Sequence, residues 1–430
     1  MKRTSKWVSA AGILGMVTVA LGAPDWPQWR GPNRDGKALG FTAPKTWPKE
    51  LTRKWKVTVG DGVATPALAG GKLYVFTRQE GNEVMRCLDA ATGQELWQDK
   101  YESAGPTGPS SRFSGPRSSP AVADGKVVAL GVRGILSCWE AATGKLLWRK
   151  DEFPGAWPRF FTASSPLIVD GLCVAQLGGE SGGAVVAYDL SSGKAKWKWT
   201  GESPAYASPV LMTVAGTRLI IAETERRVVA LNLADGKLVW EMPYVVQGRG
   251  YNAATPIVDG ATLFVAGSGR GTRALRLEKT ADGLTSTDLW HNTDQSVQFN
   301  TPVLKDGVLY GLSAGNELFC LNALDGKMAW TTPIAKAAEG AAEPGGRGRG
   351  GPGRGMGMGG GGFGSIVDAG TVLLALTPSS ELVVFAPEQK AYRELARIKV
   401  ADSPTHAHPI PAGTQLIVKD QDSVSLWTVQ

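Results

Sequence analysis

Short apolar runs separated by turns fill most of the chain, and no segment carries a sustained helical stripe. Examples are LYVF (73–76), VVAL (127–130), LIIA (219–222) and LFVA (263–266). Runs of this length between Gly, Asp and Asn turns indicate β-strands. Because they are apolar at nearly every position, both faces of each strand should be buried, as in stacked sheets.

One unit recurs along the chain. It starts with Ser/Thr-Pro, continues through apolar runs and glycine turns to Asp/Asn-x-x-x-Gly-Lys, and ends on Trp. Full copies span 65–97, 119–148, 165–197, 208–240, 255–290 and 301–330, a degraded seventh spans 365–392, and a truncated eighth runs from 408 to 430. Four strands per repeat, over a period of 40–60 residues, predict propeller blades. An open β-solenoid is the alternative, although its repeats are usually shorter.

The eighth copy lacks its fourth strand, and a strand-like segment, 51–60, precedes the first copy. Pairing that segment with the last sheet would close a ring and remove exposed sheet edges. The sequence therefore predicts an all-β, eight-bladed propeller over residues 51–430, with four-stranded antiparallel blades.

The repeat tryptophans share one slot on the fourth strand, which predicts a packing role for them. They are Trp55, Trp97, Trp148, Trp197, Trp240, Trp290 and Trp330, with Tyr392 near the slot in the seventh copy. Cys87, Cys138 and Cys320 each lie ten residues before their tryptophan, where other copies have alanine. Equivalent positions of different blades lie too far apart for a disulfide, so we expect the cysteines, including Cys173, to be free thiols.

The first residues, Met1 to Ala23, combine a cationic start, an apolar run and small residues, which is typical of an export signal. A membrane anchor is the alternative, but the apolar run is shorter than the ~20 residues that a span needs. We expect a periplasmic or secreted protein after cleavage of the signal, monomeric and without a transmembrane segment. A Trp/Pro-rich extension, 24–50, lies between this signal and the propeller.

The net charge of +7 falls to +2 once the first six residues and a glycine-rich insert, 340–364, are set aside. A nucleic-acid partner is therefore disfavoured, since its basic footprint should lie on the folded surface. The insert cannot bury enough apolar surface to offset its ordering entropy, and we expect a flexible surface loop.

The strings AATGKLLW (141–148), ATGQELW (91–97) and LDGKMAW (324–330) resemble the repeat of the PQQ-like, quinoprotein-type β-propellers, and DWPQWRGPNRDG (25–36) resembles the lead-in of exported members. That superfamily includes quinoprotein alcohol dehydrogenases and non-enzymatic outer-membrane assembly factors of the BamB type. The resemblance implies the propeller fold over residues 51–430. Function does not follow from fold alone.

Two functions are open. The resemblance to the dehydrogenases implies PQQ with calcium, a Cys-Cys pair over the cofactor, calcium held by Glu and Asn, and an Asp base that takes the alcohol proton. The chain has no Cys-Cys pair, and no insertion is rich in paired carboxylates. We therefore expect no cofactor, no metal and no catalysis. The favoured function is a scaffold for protein interaction or assembly in the cell envelope.

The segments that precede each Ser/Thr-Pro should rim the axial funnel, because they lead into the innermost strands. Several are aromatic and basic, which favours an anionic or sugar-like ligand or an extended segment of a partner protein. A water-filled funnel with ordinary rim residues is the alternative. The candidate rim residues are Arg112, Arg117, Trp157, Arg159, Tyr206, Arg249, Tyr251, Asn300 and His406.

Other motifs carry less chemistry. Two G-x-S-x-G strings, 179–183 and 311–315, fall at hairpin turns, whereas a nucleophile elbow needs a strand that leads into a helix. His406 and His408 would share one strand face, but a zinc site needs at least a third ligand. We expect the two G-x-S-x-G strings to be hairpin turns and the two histidines to bind no metal.

Overall fold

The computed structural model describes residues 25–180, 182–246, 250–335 and 362–430. These residues form eight four-stranded antiparallel sheets, which are the blades of a β-propeller. A single 3-10 helix in this part of the chain spans Gly108–Arg112. Within the same ranges, no helix is long and apolar enough to cross a membrane.

In each of the first seven blades the chain runs from the innermost strand to the outermost one. Blade 1 comprises β2 (Ala67–Ala69), β3 (Lys72–Gln79), β4 (Asn82–Asp89) and β5 (Glu95–Glu102). Blade 2 comprises β6 (Ala121–Ala123), β7 (Lys126–Leu130), β8 (Leu136–Glu140) and β9 (Leu146–Lys150). Blade 3 comprises β10 (Leu167–Val169), β11 (Leu172–Gly179), β12 (Gly182–Asp189) and β13 (Ala195–Trp199). Blade 4 comprises β14 (Val210–Val214), β15 (Thr217–Glu223), β16 (Arg227–Asn232) and β17 (Leu238–Pro243).

The second half repeats the plan. Blade 5 comprises β18 (Ile257–Asp259), β19 (Thr262–Gly267), β20 (Gly271–Thr280) and β21 (Gly283–Asn292). Blade 6 comprises β22 (Val303–Lys305), β23 (Val308–Leu312), β24 (Glu317–Asn322) and β25 (Met328–Pro333). Blade 7 comprises β26 (Ser365–Asp368), β27 (Leu373–Leu376), β28 (Glu381–Phe385) and β29 (Glu394–Lys399). Blade 8 comprises β30 (Ile410–Ala412), β31 (Gln415–Lys419), β32 (Ser423–Thr428) and, from the start of the propeller, β1 (Thr52–Thr58).

The ring closes as the sequence predicts. Strand β1 pairs antiparallel with β32, and Trp55 lies opposite Leu426. The hydrophobic core is divided in the same circular way, because each buried cluster joins two adjacent blades. Trp55 and Val57 of β1 pack with Leu68 and Leu73 of blade 1, which seals the last interface.

The repeat tryptophans occupy the predicted slot on the outermost strands. Trp197 of blade 3 donates its indole N–H to the carbonyl of Leu233 in blade 4 at 2.8 Å. A methyl group at Gly236, in the turn of blade 4, would come within 2.5 Å of the Trp197 ring, and Gly236 has a φ of +71°. The glycine turn that follows the third strand, Asn232 to Gly236 in blade 4, therefore supplies a seat for the indole of the preceding blade. The same arrangement joins Trp55 to Gly93, Trp97 to Gly144, Trp148 to Gly193 and Trp290 to Gly326.

The cysteines are buried and free, and three of them lie directly opposite a repeat tryptophan. Tyr392, in contrast, does not occupy the tryptophan slot of blade 7. Register places Ala396 opposite Val384 there, as Trp197 lies opposite Ala187 in blade 3. Tyr392 precedes the strand and packs against Trp330 of blade 6, 5.5 Å between ring centroids.

The Ser/Thr of each Ser/Thr-Pro motif forms a belt around the axis. In blades 1 to 5 its backbone N–H donates to the side-chain hydroxyl of the equivalent residue in the next blade. The bonds run from Thr65 to Ser119 (3.1 Å), Ser119 to Ser165 (2.9 Å), Ser165 to Ser208 (2.9 Å), Ser208 to Thr255 (3.3 Å) and Thr255 to Thr301 (2.8 Å). His408 of blade 8 donates its N–H to Thr65 at 2.9 Å. The hydroxyl of the motif thus links neighbouring blades at the axis.

Residues 25–38 form an axial plug below this belt. The plug pairs with Leu68 of blade 1 through Trp26 and with Asp368 of blade 7 through Lys37. The Trp29 indole donates to the hydroxyl of Thr255 in blade 5 at 3.0 Å and meets His408 of blade 8 edge-on, with 4.6 Å between centroids. Since these blades lie on different sides of the ring, the plug crosses the axis.

Two buried arginines anchor the plug to opposite blades. Arg30 donates to the carbonyls of Thr301 and Pro302 in blade 6 at 2.9 and 2.8 Å. Arg34 donates to the carbonyls of Pro166 and Ser165 in blade 3 at 2.9 and 3.1 Å. Burial lowers the pKa of Arg30 to about 10 and that of Arg34 to about 9, so both stay charged at neutral pH. Their forked donors satisfy carbonyls that no water reaches.

We expect Trp197→Ala to lower the free energy of unfolding by about 3–5 kcal/mol, because it empties a space between two blades. The midpoint of thermal or denaturant unfolding measures this. Leu324→Ala, at a side chain that is 86% exposed, is the matched control. A Trp197 variant that unfolds with the wild type would contradict the packing role.

We expect Arg30→Ala to lower the unfolding free energy by about 2–4 kcal/mol, since it leaves buried carbonyls unpaired. Arg30→Lys should restore little, because an ammonium group cannot reach both blade-6 carbonyls as a fork does. Exposed Arg276→Ala is the control. Full stability of Arg30→Lys in urea titrations would show that charge alone, without the fork, holds the plug.

Candidate functional site

Aromatic side chains meet at the end of the axis opposite the plug, and we call this group the mouth. Its members come from the segments that precede the innermost strands. They are Phe113, Phe160, Tyr206, Tyr251, Phe299, Phe363 and His406. Rigid sheets therefore position rings that lie far apart in the sequence.

The rings form a continuous series of contacts. Phe160 meets Tyr251 at 4.9 Å, Tyr251 meets Tyr206 at 5.6 Å, and Tyr251 stacks on Phe299 at 6.1 Å between centroids. Phe299 stacks on Phe363 at 4.3 Å, and the series ends on His406 and Phe113. T-shaped and stacked pairs at these distances are favourable. Each ring keeps a partly exposed surface.

Tyr206 has a second role besides its ring contacts. Its hydroxyl accepts a hydrogen bond of 3.0 Å from the backbone N–H of Phe160. Burial raises its pKa to about 12, so the hydroxyl is neutral at physiological pH. Tyr206 thus fixes the segment that carries Phe160.

Arg117 lies beneath the mouth and does not face the opening, contrary to its predicted place on the rim. Its guanidinium donates to the carbonyls of Ser110 and Phe113, both at 3.1 Å, and to that of Phe160. Burial lowers the pKa of Arg117. The residue ties two rim segments together, and its charge is directed at backbone oxygens.

Asn300 and Trp157 also differ from the predicted rim. Asn300 is buried and donates to the carbonyl of Leu312 at 2.6 Å, so it anchors the rim from below. Trp157 stacks on Phe161 at 5.4 Å and lies under Arg133 at 4.5 Å. Its described ring contacts therefore lie beside the mouth and not within it.

Arg112 and Arg159 are exposed beside the mouth, as predicted. The Arg112 guanidinium lies 5.4 Å from the Phe113 ring, and that of Arg159 lies 5.5 Å from the Phe160 ring. Arg249, the third predicted cation, falls outside the described residues. Burial, with a smaller effect from Arg112, lowers the pKa of His406 to about 4, so His406 is neutral at pH 7.

The sequence interpretation missed Phe363. That residue was assigned to the flexible glycine-rich insert, whose first part, up to residue 361, lies outside the described residues. Residues 362–364 are ordered in the mouth instead. The available signal was the single aromatic residue of the insert, placed two residues before blade 7.

A buried polar cluster, also missed, lies between blades 4 and 5. Arg270 donates to the carbonyl of Tyr244 at 2.9 Å and to the side-chain oxygen of Asn252 at 2.6 Å, and its guanidinium covers the Tyr244 ring at 3.7 Å. Glu223 is fully buried beside them, and neither carboxyl oxygen has a hydrogen-bond partner. Burial raises the pKa of Glu223 far above its usual value, and Arg270 offsets only part of that effect. Its signal was an acidic residue that ends the apolar run LIIA.

Ser313, in the second predicted hairpin, is engaged within its own turn. The Ser313 hydroxyl accepts turn N–H groups from Gly315 and Glu317, each at 3.2 Å. Ser181 falls outside the described residues. Among the residues that are described, no three His, Cys, Asp or Glu side chains group as metal ligands would. Buried His408 meets Trp29 and is separated from the plane of the mouth by the belt it joins.

Comparison with known proteins places these features in a family context. Residues 80–332 match the PQQ-repeat family model that is described as outer membrane protein assembly factor BamB. The chain is 24% identical over 304 residues to BamB of Yersinia pestis, covering 68% of this chain and 64% of that protein. It is 29% identical over 157 residues to the quinohemoprotein alcohol dehydrogenase of Comamonas testosteroni, covering 35% of this chain and 22% of that protein. The chain thus spans less than two thirds of the length of either relative.

Solved structures share the fold at low sequence identity. BamB from Moraxella catarrhalis superposes with a TM-score of 0.62 at 15% identity, covering 88% of this chain and 97% of that one. The Comamonas testosteroni dehydrogenase superposes with a TM-score of 0.63 at 14% identity, covering 94% and 80%. These likenesses support the propeller architecture alone.

We expect Glu223→Gln to stabilise the protein increasingly as pH rises. Glu223 is protonated in the fold but ionises in the unfolded chain above its usual pKa of 4.5, so rising pH favours unfolding. Glutamine keeps the shape without titrating. The gain should approach about 1.4 kcal/mol per pH unit while the buried carboxyl stays protonated. Unfolding midpoints from pH 5 to 8 test this, with exposed Glu225→Gln as control. A pH-independent difference would show that Glu223 is ionised in the fold.

Proposed function

The chain belongs to the PQQ-like propeller family described as outer membrane protein assembly factor BamB, and on this premise we propose that it is a non-catalytic scaffold of the cell envelope. In this proposal it binds protein partners through the aromatic mouth. The family match and the BamB relatives support the envelope setting. Export rests on the pattern of residues 1–23, which lie outside the described residues, and a monomeric state remains an expectation.

The observation that carries the proposal is the continuous, partly exposed aromatic surface of the mouth. Large rings on a rigid scaffold offer contact area with little loss of conformational freedom, which is why aromatic residues are enriched in protein interfaces. Exposed Arg112 and Arg159 flank this surface and favour a partner segment that carries acidic side chains.

Side chains fill the axis from both ends, which favours binding of a partner at the surface of the mouth over its entry into an axial funnel. Trp29 reaches the belt from below, and Phe363 contacts rings of blades 2, 6 and 8 from above. A partner would therefore lie across the rings. An extended polypeptide segment suits such a surface.

The quinone-dependent alternative fits the residues poorly. The pair of adjacent cysteines that the resemblance implies is missing from the sequence, and three of the four cysteines are occupied in packing against repeat tryptophans. The buried carboxyl of Glu223 has its pKa raised by desolvation and lies beside the cationic guanidinium of Arg270, which is unfavourable for calcium. We therefore propose that no quinone or calcium takes part.

We expect Tyr251→Ala with Phe299→Ala to reduce recovery of envelope partners at least tenfold, because the double change breaks the ring series at its centre. Tagged protein would be captured from solubilised envelopes, and co-purified proteins quantified by mass spectrometry. Leu289→Ala with Leu324→Ala, exposed positions away from the mouth, is the matched control. Unfolding midpoints verify that both double variants are folded.

Two outcomes would contradict the proposal. Unchanged recovery by the mouth variant would move the interaction to another surface. Stoichiometric binding of the quinone with calcium, together with dye-linked alcohol oxidation by the wild-type chain, would favour the dehydrogenase instead.

A further inference from the structure

Phe363 sits in the mouth as a ligand would. Its ring stacks on Phe299 with 4.3 Å between centroids and an interplanar angle of 16°. His406 meets it from another side at 5.3 Å, and Phe113 at 6.1 Å. These three rings belong to the segments that enter blades 6, 8 and 2, so they converge on Phe363 from around the axis.

The backbone before Phe363 is held as specifically as its ring. The N–H of Gly362 donates to the side-chain oxygen of Asn316 at 3.0 Å, and its carbonyl accepts from the Asn300 amide at 3.3 Å. The same Asn300 amide also bonds the carbonyl of Leu312 at 2.6 Å, which fixes its orientation. Asn316 and Asn300 thus bind the two backbone polar groups of Gly362.

The two residues around Phe363 must be glycine. Gly362 has a φ of +76°, and a methyl group there would lie 3.0 Å from the Cβ of Gln298. Gly364 has a φ of +138°, and a methyl group there would lie 2.6 Å from a methyl of Leu312. The seat therefore selects an aromatic residue between residues that allow close backbone approach.

We propose that this seat is a receptor for an aromatic side chain of a partner polypeptide, and that Phe363 is its occupant in cis, which competes with the partner. The seat, defined by Phe113, Phe299, His406, Asn300 and Asn316, takes a segment with the pattern Gly-aromatic-Gly. This inference rests on the proposed function, because it names the partner chemistry of the same mouth.

Physical features of the seat support exchange of Phe363 for an aromatic side chain of a partner. Phe363 is held by ring contacts and keeps a partly exposed face, whereas core aromatic residues such as Phe319 and Phe385 are fully buried. Ring pairs of this kind contribute about 0.5–1.5 kcal/mol each, which an equivalent ring from a partner could replace. Every ring that faces Phe363 is carried on a segment leading into a rigid sheet, so the seat should keep its form when the occupant changes.

The test uses the full chain and a labelled peptide with the sequence of residues 361–365, Gly-Gly-Phe-Gly-Ser. Fluorescence polarisation would compare the wild type with Phe363→Ala. We expect the variant to bind the peptide about tenfold more tightly, because the ring position of its seat is empty. A peptide with alanine in place of phenylalanine should bind neither protein, and Leu324→Ala should behave as the wild type.

Equal, weak binding by a folded Phe363→Ala variant would overturn the proposal and make Phe363 a structural cap. If that variant unfolds at the assay temperature, Phe363→Leu keeps the side-chain bulk without the ring and serves in its place. If the variant binds the peptide but no envelope partner is recovered, the proposal of an aromatic-binding seat stands and the scaffold function is rejected. If partner recovery depends on the mouth but the peptide does not bind, the scaffold function stands and the seat is rejected.

Discussion

Contact between neighbouring sheets is the interaction on which the rest of the molecule depends, because each blade is buried on both faces by other blades. The apolar clusters lie between sheets and not within one central core. At the outer edge every interface except that between blades 7 and 8 is sealed by a tryptophan of one blade, in five cases seated on a glycine turn of the next. At the axis six of the eight interfaces are tied by a hydroxyl that accepts a neighbour's N–H. A circle of such contacts is complete only when β1 supplies the outer strand of blade 8.

The repeat made this architecture predictable. Ser/Thr-Pro, the glycine turn and the tryptophan recur because each makes a contact that most of the interfaces repeat. The sequence pattern therefore reflects the packing of the blades. Closure of the ring by residues 51–60 could be predicted because the last repeat lacks its fourth strand and an unpaired strand precedes the first repeat. Tyr392 was misplaced because blade 7 has lost that pattern, and alignment by spacing failed where Ala396 fills the slot.

The two ends of the axis were less predictable, since both are made by residues that do not repeat. Arg30 and Arg34 are charged residues, usually exposed, and only the carbonyls of distant blades explain their burial. Phe363 was hidden by the glycine content of its surroundings. Most aromatic members of the mouth could be found from their place before the innermost strands. The orientation of Arg117 could not, because a guanidinium can face either solvent or backbone carbonyls and the sequence does not distinguish the two. The repeating residues are committed to packing, so the side chains exposed at the mouth come from segments that do not repeat.

The axial plug and β1 have a consequence for the order of synthesis. Both are translated before every blade they touch, including blade 8, whose β32 strand pairs with β1. Strand β1 therefore lacks its pairing partner until the last hairpin is made, whereas Arg34 and Arg30 need only blades 3 and 6. Closure of the ring is thus a late step of folding that depends on a long-range contact.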